Sequence, residues 1–374
     1  MKKTILFASL LVCLFGIDGV FAGRVWYYSD ILSPADGKTI SSAGSAIGMR
    51  SNGTWPVVAY CQNGTASGVA TMLPGSWAGK TGVFGSQLLD GATAPDGTAG
   101  FVDSYGDVVT LNKNGWGGGY VSSSTSSQYK NSIAFDNDSV PGVLYRANST
   151  NYLTLSMRYG STWYASTVQP AIGGVRTSNY YALDFDSYNQ ANIVYQYNSK
   201  LAYGVKGVMT SSQWQLAESE TAPTVYGAMD MALSNNDIPV VVYLTNPNTL
   251  GYSVYNRLTS SWISGLIDSY TGLPFGNFTL TANNDGGIGL AYITSNTLKY
   301  AYYDGSGFSL PETLTAARGE YSVGLTFDYE NNPVISYMDM ATNKLRLAYD
   351  PYVPVPEPAT MAIFALGFAL IRRK

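Results

Sequence analysis

The sequence lacks histidine altogether and is sparing in cysteine and charge. None of its 374 residues is a histidine, and only 12% are Asp, Glu, Lys or Arg. Histidine is the commonest general base and metal ligand at neutral pH. Its absence excludes Ser-His-Asp triads, His-based metal sites and HExxH motifs. Carboxylate pairs of the kind used in glycoside hydrolysis remain available.

The charge that is present is acidic. Of 21 Lys+Arg and 25 Asp+Glu, five cations and two acids lie in the terminal segments 1–22 and 353–374, so the central region carries a net charge near −7. Nor does the region contain a basic stripe or a motif that combines basic and aromatic residues. Such a surface does not attract phosphate backbones, and nucleic acid is excluded as an expected partner.

The N-terminus has the pattern of a secretory signal peptide. Met1-Lys2-Lys3 is the charged region, Ile5 to Phe15 the apolar region, and Val20-Phe21-Ala22 the small-residue cleavage site. We expect export by the Sec machinery with cleavage after Ala22. Cys13 is then lost and Cys61 is the one remaining thiol, so no intramolecular disulfide is expected.

The C-terminus carries a second targeting pattern. Val355, Pro356, Glu357, Pro358 and Ala359 precede a short apolar run, Thr360 to Ile371, and a cationic end, Arg372, Arg373 and Lys374. The tail resembles the PEP-CTERM sorting signal of Gram-negative bacteria that make exopolysaccharide. The resemblance implies recognition and cleavage by an exosortase. About twelve apolar residues are too few for a permanent span of roughly twenty, so we expect transient insertion into the inner membrane. An ordinary C-terminal anchor is the alternative.

Between these segments the chain repeats a turn rich in Asp, Asn and Gly, followed by a short apolar run that usually ends in Tyr. The seven copies begin near Asn52, Asp96, Asp136, Asp186, Asn236, Asp285 and Glu330. Their spacing of roughly 40 to 50 residues is typical of four-stranded propeller blades. Because the second copy is weak, rings of six and eight blades stay open.

An aromatic residue after a Gly/Ser turn follows each of the first six runs, at Trp77, Trp116, Trp163, Trp214, Trp262 and Phe308. The seventh run lacks one, whereas Gly23 to Ser29, with Trp26, carries an unpaired copy ahead of the first run. The sequence therefore predicts an all-β fold: a seven-bladed β-propeller over residues 23–352, closed by the N-terminal strand completing the last blade.

In propellers the turns between first and second and between third and fourth strands share one side, here called the tight-turn face. The loops between second and third strands and between blades form the other side, here called the loop face. The predicted ligand-binding residues lie on the loop face. They are tyrosines and arginines from separate blades: Tyr129, Arg146, Arg176, Tyr180, Tyr226, Tyr270, Arg318 and Tyr321.

Several acidic and polar residues could serve either in chemistry or in the structure. We expect Asp184 and Asp230 to face the central channel. There, hydrogen bonding of the two carboxylates to the backbone is favoured over roles as catalytic acid and nucleophile. The segment Ser156 to Trp163 resembles the Asp-box of sialidase-like propellers, with Arg158 in place of its Asp, and the motif is a folding element. The Asp/Asn turns are expected to bond their own backbone, with calcium as the alternative. The sequence predicts no metal, cofactor or catalytic residue.

Taken together, these patterns predict an exported protein of the cell surface or extracellular matrix of a Gram-negative bacterium. We expect it to be non-catalytic and to bind exopolysaccharide or another envelope component through one propeller face. The alternative is a secreted carbohydrate-active enzyme, a glycosidase or lyase, that uses Asp, Glu, Tyr and Arg.

Overall fold

The computed structural model describes residues 26–32, 40–49, 56–62, 68–73, 76–81, 84, 89–112, 114–121, 130–148, 152–168, 180–206, 214–219, 221–269, 278–319 and 323–349. The predicted signal peptide, 1–22, and the predicted sorting tail, 353–374, lie outside these residues.

The strands form seven antiparallel sheets of four, confirming the predicted number of blades. Short apolar, β-branched and Tyr-rich runs form the strands, and Gly, Asn and Asp turns end them. Blades 1 to 3 consist of β2 (Ile40–Met49), β3 (Pro56–Gln62), β4 (Gly68–Leu73) and β5 (Ser76–Thr81); β6 (Leu89–Thr93), β7 (Ala99–Asp103), β8 (Asp107–Asn112) and β9 (Gly115–Tyr120); and β10 (Ser132–Phe135), β11 (Pro141–Arg146), β12 (Leu153–Tyr159) and β13 (Thr162–Thr167).

Blades 4 to 6 repeat this order, each running from its innermost to its outermost strand. They consist of β14 (Tyr181–Phe185), β15 (Ala191–Tyr197), β16 (Lys200–Lys206) and β17 (Trp214–Ala217); β18 (Met229–Ser234), β19 (Ile238–Asn246), β20 (Thr249–Asn256) and β21 (Ser261–Ser269); and β22 (Phe278–Ala282), β23 (Ile288–Thr294), β24 (Thr297–Tyr303) and β25 (Glu312–Ala316). A single 3-10 turn among the described residues, Asn235–Asp237, joins β18 to β19.

The seventh blade closes the ring with both ends of the propeller. Its strands are β26 (Gly324–Phe327), β27 (Pro333–Met338), β28 (Leu345–Tyr349) and, outermost, β1 (Tyr27–Leu32). The closing strand lies at 27–32 rather than 23–29, and residues 23–25 are outside the described part. Trp26 precedes this strand and its ring packs edge-on against Tyr300 of blade 6, with centroids 5.5 Å apart. The N-terminal segment is therefore held by two blades.

The first strands of successive blades contact each other around the axis, in the order β2, β6, β10, β14, β18, β22, β26 and back to β2. The core lies between neighbouring blades, in clusters that combine residues from both. The tyrosine that ends most repeats belongs to this core, at Tyr60, Tyr145, Tyr195, Tyr243, Tyr292 and Tyr337. In blade 2 the corresponding strand ends in buried Asp103, which explains why its repeat is weak.

Close packing of a glycine in one blade against a phenylalanine in the next joins several neighbouring blades. A Cβ at Gly142 in β11 would lie 2.7 Å from Phe185, which ends the inner strand of the next blade. At Gly289 in β23 the corresponding distance to Phe327 is 2.6 Å. Only a residue without a side chain leaves room for the ring.

Turns on the tight-turn face bond from blade to blade. The Asn137 backbone N–H donates to Asn189 Oδ1 at 2.8 Å, and the Ser187 N–H donates to Asp237 Oδ1 at 2.8 Å. The Asn284 N–H donates to Asn331 Oδ1 at 2.9 Å. Because turns at the same position of successive blades are linked, this face is a continuous hydrogen-bonded rim over much of the ring.

Candidate functional site

Four of the predicted ligand-binding residues lie within the described part of the chain. Arg146, Tyr180, Tyr226 and Arg318 occupy strand ends or blade-to-blade connections on the loop face. The other four lie outside the described residues: Tyr129, Arg176, Tyr270 and Tyr321.

The two described tyrosines differ in exposure. Tyr226 is 48% exposed, and its backbone N–H donates to Leu244 O at 2.7 Å, which fixes it beside blade 5. Tyr180 is half-buried and packs against the cluster that includes Val225 and Met229. The Tyr226 ring is thus accessible to a ligand, whereas Tyr180 is largely committed to the packing between blades.

The two described arginines belong to different sectors of the ring. Arg146 ends β11 in blade 3, and its backbone N–H donates to Tyr181 Oη of blade 4 at 3.2 Å. Arg318 follows β25 and bonds to blade 7, through its N–H to Met338 O at 2.9 Å and through its guanidinium to Asn343. The described arginines therefore contact different sectors of the ring, and Arg176, the third member of the predicted arginine set, lies outside the described residues.

Two further exposed tyrosines lie on the loop face in blade 2, and sequence reasoning missed them. Tyr105, 43% exposed, occupies the turn between β7 and β8, and Tyr120, 49% exposed, ends β9. Tyr120 pairs with Asp107, which follows that turn, so the two tyrosines occupy neighbouring parts of the loop face. The position of Tyr105 within a short turn, Ser104-Tyr105-Gly106, was the available signal.

A cavity of about 630 Å³ lies in the central channel. Carboxylates and hydroxyls from the first strands line it, including Asp90, Asp184, Asp230 and Thr281. It extends to the tight-turn face, where Tyr329 contributes to its wall. Both aspartates expected at the channel are therefore there.

The channel carboxylates join neighbouring blades. Asp184 Oδ2 accepts the N–H of Leu233 in blade 5 at 2.9 Å, and its Oδ1 accepts the N–H of Phe185 at 2.8 Å. Asp230 repeats the arrangement one blade further, accepting from Leu280 at 2.9 Å and from Met231 at 2.9 Å. These bonds confirm the structural role favoured from the sequence.

Burial in the channel wall raises the pKa of the Asp184 carboxyl to about 6, although the N–H groups of Leu233 and Phe185 oppose the change. Burial likewise raises the pKa of Asp230 to about 6, against the attraction of Lys130. Lys130 pairs with Asp90 at 2.9 Å. Partial desolvation would lower the pKa of Lys130, whose side chain is 40% exposed, but the negative charges of Asp90 and Asp230 raise it above its ordinary value. The channel thus holds two carboxyls that change protonation near pH 6.

Asp side chains in the tight turns accept hydrogen bonds from the backbone of the same turn, as predicted. Asp136 Oδ1 accepts the backbone N–H groups of Asp138 at 3.0 Å and Val140 at 2.8 Å, and Asp328 repeats the pattern with Glu330 and Asn332. These are Asx turns, the bonding expected of Asp and Asn in such positions. Within the described part of the chain, no group of three or more acidic or cysteine side chains could hold a metal ion.

The segment that resembles an Asp-box also has the predicted placement. Gly160, with φ of +62°, turns the chain between β12 and β13. Arg158 lies opposite Trp163 in this hairpin, and its Nη2 donates to Gly118 O of blade 2 at 3.4 Å. The motif is therefore a structural hairpin that also contacts the neighbouring blade.

Comparison with protein families identifies a known motif at the C-terminus. The PEP-CTERM protein-sorting motif matches residues 354–374. The chain carries this motif, which implies an exported surface protein, sorting at a membrane and processing by an exosortase. No helix among the described residues is long and apolar enough to cross a membrane. A comparison with curated protein sequences finds no significant match.

Solved structures share the propeller architecture at low sequence identity. A mutant of the Aleuria aurantia lectin AAL in complex with Fucα1-6GlcNAc has a TM-score of 0.50 and 15% identity, covering 74% of this chain and 97% of the lectin. The polysaccharide lyase Uly1 has a TM-score of 0.54 and 9% identity, covering 83% and 90%. YCF48 bound to D1 peptide has a TM-score of 0.52 and 10% identity, covering 88% and 96%. At these identities the likeness shows the fold alone, and it is a fold found in a lectin, a lyase and a peptide-bound protein.

Proposed function

We propose that this chain is an exported, non-catalytic protein of the cell surface or extracellular matrix that binds exopolysaccharide, or another envelope component, through its loop face. In this proposal Sec export removes residues 1–22, an exosortase of a Gram-negative host processes the tail 353–374, and residues 23–352 form the working propeller. The exopolysaccharide is a ligand of the propeller, and the inner membrane holds the tail only transiently.

Exposed tyrosines on the loop face of an exported propeller carry the proposal. Tyr105, Tyr120 and Tyr226 are each between 43% and 49% exposed, whereas the repeat tyrosines are buried. Aromatic faces stack on the C–H surfaces of sugar rings, and phenolic groups bond to sugar hydroxyls. The acidic charge of the chain favours a neutral or weakly charged polysaccharide over a polyanion.

Retention of the purified protein on polysaccharide from its own host tests the proposal. A double variant, Tyr105→Ala with Tyr226→Ala, should weaken retention about tenfold, since each lost aromatic contact is worth about 0.5–1.5 kcal/mol. The matched control is Tyr188→Ala with Tyr329→Ala, which removes two exposed tyrosines from the tight-turn face. Absence of retention by the unaltered protein, or equal retention by the two double variants, would overturn the loop-face site.

The carbohydrate-active enzyme remains the second candidate because Asp184 and Asp230 have pKa values raised to about 6 in a cavity. Against it, both oxygens of each carboxylate already accept backbone N–H groups. A reducing-end assay on the same polysaccharide separates the two functions. Release of new reducing ends that is lost in Asp184→Asn or Asp230→Asn would favour the enzyme.

A further inference from the structure

Both ends of the propeller emerge on the tight-turn face. Tyr349, the last described residue, pairs with Val334, the second residue of β27 after the tight turn 328–332. Tyr27, which begins the closing strand, lies opposite Tyr349 on its other side. The N-terminal and C-terminal segments therefore leave the body side by side, at the edge of blade 7.

Each of these neighbouring ends leads to a segment directed to a membrane. The C-terminal side continues into the sorting motif at 354–374. The N-terminal side is preceded by the predicted signal peptide, residues 1–22. We infer that, while either segment is in the membrane, the propeller is held with its tight-turn face toward the bilayer and its loop face toward the outside.

The length of the C-terminal connection supports this orientation. Ten residues, 350–359, separate Tyr349 from the apolar run and span at most about 35 Å when fully extended. The blade is at least about 20 Å tall, because β27 has six residues that each rise about 3.3 Å. To place the loop face on the bilayer, the connection would have to pass around β1 and down this height. That path uses more than half of its length and costs conformational entropy.

The tight-turn face offers little adhesion of its own to a membrane. The described turns between first and second strands contain no Lys or Arg, whereas Asp96, Asp138, Asp237, Asp285 and Glu330 lie in five of them. On the same face, Arg257 in the turn between β20 and β21 is paired with Asp186 at 3.5 Å. Anionic headgroups would repel such a rim. The terminal segments thus set the orientation, and it does not depend on whether the loop face binds polysaccharide.

Energy transfer to a labelled lipid measures the orientation directly. Two positions in blade 7 are similarly exposed and lie on opposite faces: Tyr329 in a tight turn, 51% exposed, and Met340 on the loop face, 46% exposed. A donor dye is attached to Tyr329→Cys or to Met340→Cys in the full chain, with both native cysteines changed by Cys13→Ser and Cys61→Ser. The chains are reconstituted into phosphatidylcholine vesicles that contain an acceptor-labelled lipid.

Transfer from position 329 should exceed that from position 340 by about twofold or more, because the labels differ in height by at least the length of the β27 strand. The control deletes residues 360–374 and 1–22, which should abolish co-flotation with vesicles while leaving the melting temperature unchanged. Equal transfer from the two positions, stronger transfer from 340, or failure of the full chain to co-float would overturn the inference. Polysaccharide retention by the same labelled chains in detergent is measured separately, so the two proposals fail independently.

Discussion

Tyr27 lies directly opposite Tyr349 in the antiparallel pair that closes the propeller, with their ring centroids 6.1 Å apart. These residues come from the two ends of the body, so ring closure is a long-range contact. A propeller without this pair would present two unpaired strand edges, which are sites for aggregation.

Deletion of residues 26–32 should therefore open the ring. We expect aggregation or a large loss of stability, because β1, the Asp30 ion pairs to Lys344 and Arg346, and the Trp26 contact are all removed. Thermal unfolding and size-exclusion chromatography measure the result.

Deletion of residues 360–374 is the control for this experiment, and it should be nearly neutral for the fold. If the chain without 26–32 melts at the temperature of the unaltered protein and stays monomeric, the closing role of β1 is refuted.

Gly289→Ala should destabilise the junction between blades 6 and 7. The added Cβ would lie 2.6 Å from Phe327, so the ring must move, at a cost of about 1–3 kcal/mol. The matched control is Gly119→Ala in exposed β9, where the nearest atom, Trp163 Nε1, is at 3.4 Å. Urea unfolding of both variants checks the difference; equal midpoints would contradict the packing argument.

Stability should rise as the pH falls from about 7 to 5. Folding raises the pKa of Asp184 and of Asp230 from the ordinary 3.8 to about 6. As the pH falls, the folded protein therefore takes up protons before the unfolded chain does, and the cost of burying the charges is relieved. The gain in the free energy of unfolding is about 1 kcal/mol for each carboxyl over this range.

Asp184→Asn with Asp230→Asn should flatten this pH dependence, because the amides carry no charge that titrates. Each amide keeps one acceptor oxygen of the two that bond backbone N–H groups, so we expect the variant to be less stable at every pH. Urea unfolding at a series of pH values provides the measurement. A stability that falls steadily between pH 7 and 5 in the unaltered protein would contradict the assignment.

Mature protein from the native host should lack residues 1–22 and the apolar tail beyond the Val355 to Ala359 region. Intact-mass analysis of surface and medium fractions measures both ends. Full-length chain retained in the inner membrane would show that the terminal segments are not processed.

Much of the fold could be read from local patterns. A turn at Asp136 or Asp328 bonds its own backbone, and this local chemistry recurs before each apolar run, so blades could be counted along the chain. The unpaired aromatic at Trp26 similarly predicted closure. The weak second repeat left the count open because Asp103 stands where the other blades have tyrosine.

The candidate site could be predicted only in part. Sequence placed Tyr180 and Tyr226 on the same face, but packing between blades half-buries the first and leaves the second 48% exposed. Tyr105 was missed because its position in a short turn is the one signal that the sequence offers, and that turn does not recur in the other blades. The exposure of a side chain depends on which residues of the neighbouring blade pack against it. The repeat pattern within one blade does not specify those residues.

The sequence by itself determined the repeating four-stranded blade and the C-terminal sorting motif, because each depends on residues close together in the chain. It predicted seven blades and closure by the N-terminus, but the pairing of β1 with β28 that settles both joins the two ends of the body. Only the tertiary structure decided which tyrosines reach solvent, that Asp184 bonds Leu233 of the next blade, and that Tyr27 and Tyr349 bring both ends to one face. These relationships join residues separated by one blade or by the whole ring. They arise only when the inner strands meet around the axis, since only that packing fixes the distances between blades.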